Sequence, residues 1–132
     1  MHVSHQRKNV LKELEVLLKE LHVYVDLVLV EGPRDTESLI SLGCITEIEI
    51  LSHTGVNDFD LAEKIAAKYG RVLILTDFDE EGLRLNRHFS KLLERKGVKV
   101  ENGLRRRVGR LTAIMGVYAI EALDNFKSNF EF

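Results

Sequence analysis

The chain has no tryptophan, one proline and one cysteine in 132 residues. A lone Cys44 cannot close an internal disulfide, which excludes a cross-linked scaffold and fits a reducing compartment. Its neighbours suit a small, buried apolar side chain. Cysteine pairs for zinc are missing, and His2, His5, His22 and His88 show no metal-ligand spacing. The aliphatic runs are far too short to cross a bilayer, so no membrane partner is expected. Met1 to Asn9 is polar and leads to no small-residue cleavage site. The expectation is therefore a cytoplasmic chain without a secretory leader. Repeats, low-complexity tracts and flexible linkers are all lacking, and residues 1–132 read as a single domain.

An excess of either charge is lacking overall, because the formal net charge is only −2. That figure alone argues against a nucleic-acid partner, but the distribution reverses the argument. From Arg84 to Arg110 there are ten Lys or Arg against two acids, a local charge of +8, and the remaining −10 lies elsewhere. An acidic region beside a basic surface is what metal-dependent chemistry on phosphodiesters requires.

Hydrophobic periodicity sets out the elements. Val10, Leu14, Leu17 and Leu21 recur at helical spacing, which predicts an amphipathic helix over 6–21. Residues 26–31 are apolar through their middle and predict a strand buried on both faces. Pro33 suits the first turn of a helix that Gly43 can end, with Asp35 and Glu37 near its positive terminus. Residues 45–51 alternate Ile48 and Ile50 with Glu47 and Glu49, as in a strand with one wet face. Asn57 or Asp58 can cap a helix to Tyr69, with Gly70 as its stop. Residues 71–76 predict a second buried strand, 80–96 a helix and 98–100 a short strand. The tail, 103–132, predicts a helix over about 111–126. Strands alternating with helices at this spacing imply an α/β fold of about four mostly parallel strands flanked by helices.

Two acidic motifs stand at strand ends. Val30-Glu31-Gly32 follows Leu27-Val28-Leu29-Val30, and Thr76-Asp77-Phe78-Asp79-Glu80-Glu81-Gly82 follows Val72-Leu73-Ile74-Leu75. In an open parallel sheet the carboxyl ends of the strands share one edge, where ligands bind. Glu31, Asp77 and Asp79 should therefore converge, although 46 residues separate the first two. Clustered carboxylates repel unless cations lie among them, and hard oxygen donors favour magnesium or manganese. Asp77 and Asp79 are two apart and face the same way on extended chain, so they can share one ion or bridge two.

Together these motifs resemble the Toprim domain, the catalytic fold of topoisomerases, bacterial-type primases, some nucleases and small stand-alone proteins. The resemblance spans roughly Tyr24 to Glu101. In size the chain is similar to the small archaeal-type members, which resemble the Toprim part of the bacterial nuclease that matures ribosomal RNA. The resemblance implies up to two magnesium ions, with Asp77 shared between them, Glu31 on the first and Asp79 on the second. It also implies a general acid or base role for Glu31. No zinc ribbon of a primase and no tyrosine-bearing cleavage domain of a topoisomerase is visible; Tyr24, Tyr69 and Tyr118 lack any motif context.

Gly32 and Gly82 permit tight turns or close backbone approach to phosphate. Asp35 reads as support for the site or as helix-terminal charge, and Glu80 and Glu81 as first-turn acids. Arg34 is placed either to contact phosphate or to pair with the acidic cluster. His53, in the loop Ser52-His53-Thr54-Gly55, reads as an exposed loop residue rather than a substrate contact. Arg84, Arg87, His88, Lys91 and Arg95 form a stripe opposite Leu85, Phe89, Leu92 and Leu93, and Arg105, Arg106, Arg107 and Arg110 continue it. With few aromatics, contacts to RNA or DNA should fall on the backbone, with little sequence preference. The expected function is magnesium-dependent phosphodiester chemistry on nucleic acid, nuclease-like cleavage or RNA processing. The alternatives are a non-catalytic metal- and nucleic-acid-binding subunit working with a protein partner, and a phosphate-binding regulatory module.

Overall fold

Two aliphatic runs form the centre of the sheet, β1 (Leu27–Val30) and β3 (Arg71–Ile74), and they pair in parallel with Val28 opposite Leu73. The structure is a computed structural model that describes residues 2–52 and 56–129. β2 (Ile48–Ile50) lies parallel on the outer side of β1, and β4 (Lys99–Val100) lies parallel on β3. The order is β2-β1-β3-β4. The sheet is thus four-stranded and wholly parallel, with helices on both faces.

Alternation along the strands divides the core in two. Val28, Val30, Leu73 and Leu75 face α1 (His2–Tyr24) and α5 (Asn102–Met115), meeting Leu14, Leu18, Leu21, Val108 and Met115. Leu27, Leu29, Val72 and Ile74 face α3 (Asp58–Lys68) and α4 (Glu80–Glu94), meeting Leu61, Ile65, Phe89 and Leu93. Both central strands are buried on both faces, as their uninterrupted apolar runs require. The three residues of β2 are all partly exposed, so the wet edge is real but shorter than the alternation over 45–51 implies. Among the described residues, no helix is long and apolar enough to cross a membrane.

The helix starts are set by local chemistry. Asn57 accepts the Asp60 amide at the start of α3, and Asp79 accepts the Gly82 amide at 2.7 Å at the start of α4. α2 (Pro33–Ser41) begins with proline in its first turn, and Asp35 accepts the Gly32 amide at 3.0 Å. The tail departs from expectation. Its main helix is α5, which begins at Asn102 and stops at Gly116, held at φ 76° in the left-handed region. A helix over 111–126 is therefore broken in its middle. A 3-10 turn (Ile120–Ala122) and α6 (Leu123–Ser128) follow and pack on α2. The loop carrying His53 lies outside the described residues.

Gly82 and Gly32 have different reasons for being glycine. A β-carbon on Gly82 would lie 1.9 Å from the carbonyl oxygen of Asp77, whereas one on Gly32 would meet nothing within 4 Å. Gly82→Ala should cost more than about 2 kcal/mol, because backbone must move. Gly32→Ala should cost less than about 1 kcal/mol, the difference between two weak caps. Denaturant unfolding of the two variants checks this; equal losses would contradict the packing described.

Candidate metal site and nucleic-acid surface

The two acidic motifs meet at the carboxyl edge of β1 and β3. Leu75 continues the pairing past β3, its amide donating to Leu29 at 2.7 Å, so the chain beyond it runs alongside the end of β1. Glu31 Oε2 then accepts the Asp77 amide at 2.7 Å. Asp77 Oδ1 accepts the Ile120 amide at 2.8 Å, and Asp79 Oδ1 is engaged by Gly82. Each carboxylate is thus fixed by one oxygen on a backbone amide. Asp35, buried behind Glu31, completes the group through Gly32.

The electrostatics are those of crowded, half-buried anions. Burial holds the Glu31 carboxyl above its ordinary range, against the lowering effect of the Asp77 amide, and the charges of Asp77, Asp35 and Asp79 add to the rise. Burial likewise raises Asp77; the Ile120 amide opposes this, Asp79 and Glu121 reinforce it, and Arg105 opposes it. Asp35 is raised by burial, then lowered by its bond from Gly32 and raised by Asp77 and Glu121. Such a cluster is relieved by a cation.

The donor chemistry fits magnesium or manganese, since all donors are hard oxygens. Among the described residues, no three His, Cys, Asp or Glu side chains stand ready to hold one ion together. An ion here would complete its shell with water or phosphate, as magnesium commonly does. Glu31, Asp77 and Asp79 are the residues that would hold it.

Arg105 requires a correction. It does not continue the exposed basic stripe: it is 5% exposed, and its guanidinium donates to the carbonyls of Ile74 at 3.0 Å, Thr76 at 2.9 Å and Asp77 at 3.2 Å. It also lies 4.5 Å from the centre of the Phe78 ring. Its donors hold the turn that carries the aspartates, so they are not offered to a strand of nucleic acid. The signal was present in the sequence. Arg105, Val108, Thr112 and Met115 fall on one helical stripe, and all are buried. Placing the helix start near Leu111 hides that register. The Ile120 amide on Asp77 has no side-chain signal at all.

The other basic residues remain on the surface. Arg84, Arg87, Lys91 and Arg95 are exposed along α4, and Arg106, Arg107 and Arg110 along α5. Arg84 is partly engaged by Glu81, at 3.0 and 2.6 Å, and His88 turns aside to Asp58 at 3.0 Å. A cavity of about 480 Å³ lined by Asp79, Glu80, Glu81, Arg84 and Arg87 joins the acids to the stripe. Arg34 is exposed beside Glu37, Glu121 and Asp124, an acidic setting that suits pairing better than phosphate contact.

A parallel α/β sheet with one glutamate after β1 and two aspartates after β3 defines a class, and the family comparison agrees with it. The Toprim domain model matches residues 26–111, and the chain belongs to that family. The match reaches into α5 and includes Arg105. Similar relatives are a UPF0292 protein of Thermococcus onnurineus, 37% identical over 100 residues covering 76% of this chain and 73% of the relative, and one of Pyrococcus abyssi, 36% identical over 114 residues covering 86% and 83%. A solved structure, a putative protein from Aquifex aeolicus, is similar with a TM-score of 0.65 at 26% identity, covering 86% of this chain and 94% of that one. Family membership connects the chain with metal-dependent, nucleic-acid-related function.

The raised carboxyls give a signed pH dependence. Because Glu31 and Asp77 hold protons more tightly when folded, their contribution to stability is full below the unfolded carboxylate range, about pH 4. It is lost as pH rises through their folded values. Asp77→Asn removes one charge, yet its amide oxygen can still accept from Ile120. In EDTA at neutral pH the variant should melt at or above the parent temperature, and the gap should close near pH 4. Magnesium should raise the parent's melting temperature and leave the variant's unchanged. Thermal scans across pH with and without magnesium read all three.

Proposed function

We propose that this chain cleaves phosphodiester bonds in RNA or DNA in a magnesium-dependent reaction, with manganese as a substitute ion. One observation supports this above others: the Glu31, Asp77 and Asp79 carboxylates share one sheet edge, and a cavity leads from Asp79 directly to Arg84 and Arg87. Magnesium, up to two ions, would neutralise charge on the phosphoryl oxygens and assist departure of the leaving oxygen.

The chain supplies the rest. Arg105 fixes the backbone of the aspartate turn, and the Asp77 amide fixes Glu31. Glu31 Oε2 is held by that amide, leaving Oε1 to carry a proton to or from the reacting oxygen. Its raised proton affinity suits general acid or base work. Arg87, Lys91 and Arg95 would bind phosphates along the strand, giving affinity with little sequence preference.

Labelled RNA and DNA incubated with and without magnesium test the reading. Cleavage should require the ion and should fall in Asp77→Asn by more than about 100-fold, beyond the loss typical of an outer-shell change. Binding without turnover would instead indicate a non-catalytic subunit that acts through a partner.

The stripe has its own test. Arg87→Ala and Lys91→Ala should each weaken RNA and DNA binding alike. Each should also lower the slope of log affinity against log salt by about 0.7–0.9, one phosphate's worth of counterions. The exposed positions predict unchanged folding. Salt-titrated binding of both variants decides the matter; unchanged slopes would make the stripe an ordinary solvated face.

A further inference from the structure

We propose that a cavity between α4 and α5 takes one unpaired nucleobase of a strand whose phosphate lies at the acidic edge. The proposal rests on the nucleic-acid reading above and narrows its substrate to strands with an unpaired nucleotide.

The cavity measures about 620 Å³, within the range of small-ligand sites. Phe78, the residue between the two aspartates, forms part of its wall, so the pocket adjoins both acids in sequence. The Phe78 ring is seated between chain elements. Its backbone amide donates to Tyr118 at 2.8 Å, Arg105 lies against the ring, and Gly109 leaves room for it. A β-carbon on Gly109 would come within 2.8 Å of that ring. Leu83, on the same rim, is 42% exposed, an apolar side chain among the exposed charged residues of α4.

The polar lining selects the occupant. Asn102 offers a donor and an acceptor from one planar amide, the pair that matches the edge of a base, and Asn86, whose Oδ1 accepts from Ser90 at 3.5 Å, adds its amide N–H groups. Arg106 and Arg110 are exposed, one turn apart on α5, and neither has an ion pair among the described residues. An apolar peptide side chain would make no use of the two amides or the two guanidiniums, which would keep only water. A paired base keeps its hydrogen-bonding edge inside the duplex and its faces in the stack. An unpaired base can place a face on Phe78 and Leu83, its edge on the asparagines and its flanking phosphates on the arginines. Recognition would then depend on the secondary structure of the substrate.

The test uses the intact chain and duplexes that differ at one point: no bulge, a single bulged base, or a bulged abasic residue, each in RNA and DNA. Binding is read by anisotropy without divalent cation, separately from cleavage. The bulged base should bind about 10-fold more tightly than the abasic bulge, the scale of one base–aromatic stack. Leu83→Trp, which fills the rim, and Asn102→Ala, which removes an edge partner, should each erase that difference and keep the abasic affinity. Equal affinity for base and abasic bulges, a difference that survives both variants, or no binding at all overturns the pocket. Discrimination without magnesium-dependent cleavage would support the pocket and sink the nuclease reading. Cleavage indifferent to the bulge would do the reverse.

Discussion

A buried guanidinium holds the acidic edge in place. Where β3 ends, the chain turns through Thr76, Asp77 and Phe78, and its carbonyls lose the strand partners that would satisfy them. Unpaired buried carbonyls are costly. Arg105 supplies donors to three of them at once, from the two terminal nitrogens of a rigid planar fork that an ammonium, a single point of charge, does not offer. Desolvation brings its pKa down to about 10, with Glu31 and Asp77 opposing that fall, so it stays charged at neutral pH. One buried cation therefore sits close to Glu31 and Asp77, within the acidic cluster. It holds the turn rigid and offsets part of their repulsion, yet leaves the cluster net negative and receptive to a further cation.

The second constraint comes from the tail. Ser38 on α2 donates to the Ile120 carbonyl at 2.8 Å and accepts the Asp124 amide at 3.1 Å. That hydroxyl ties the segment after α5 to α2, and the same segment presents the Ile120 amide to Asp77 and the Tyr118 carbonyl to Phe78. The orientation of Asp77 thus depends on residues more than forty positions away in sequence. Strand ends bring the acids together, and the tail decides how one of them is aimed.

These two constraints mark how far the sequence could be read. Leu27–Val30 and Val72–Leu75 announce buried parallel strands through composition alone, and acids directly after both runs imply a shared edge. Gly82 could be recognised as special, but not the carbonyl that forces it. The backbone bonds from Ile120, Tyr118 and Asp77 carry no side-chain signature, so the tail's role was invisible. Arg105 was misplaced for a simpler reason. Three consecutive arginines look alike until the helix start is known, and only then does one of them fall on the stripe of Val108 and Met115.

The same arrangement sets a physical order between ion and strand on the proposed reading. Exposed arginines on α4 and α5 attract phosphate over about one Debye length, roughly 10 Å at ordinary salt. At the end of that approach the phosphate meets carboxylates that repel it. A divalent cation would offset that repulsion, and the phosphate would in turn supply oxygens to the ion's shell. Each ligand then improves the site for the other, and by linkage the gain in affinity must be equal in both directions. On that reading the opposite charges divide the work: the basic surface would hold any strand, and the acidic edge would admit phosphate only together with a cation.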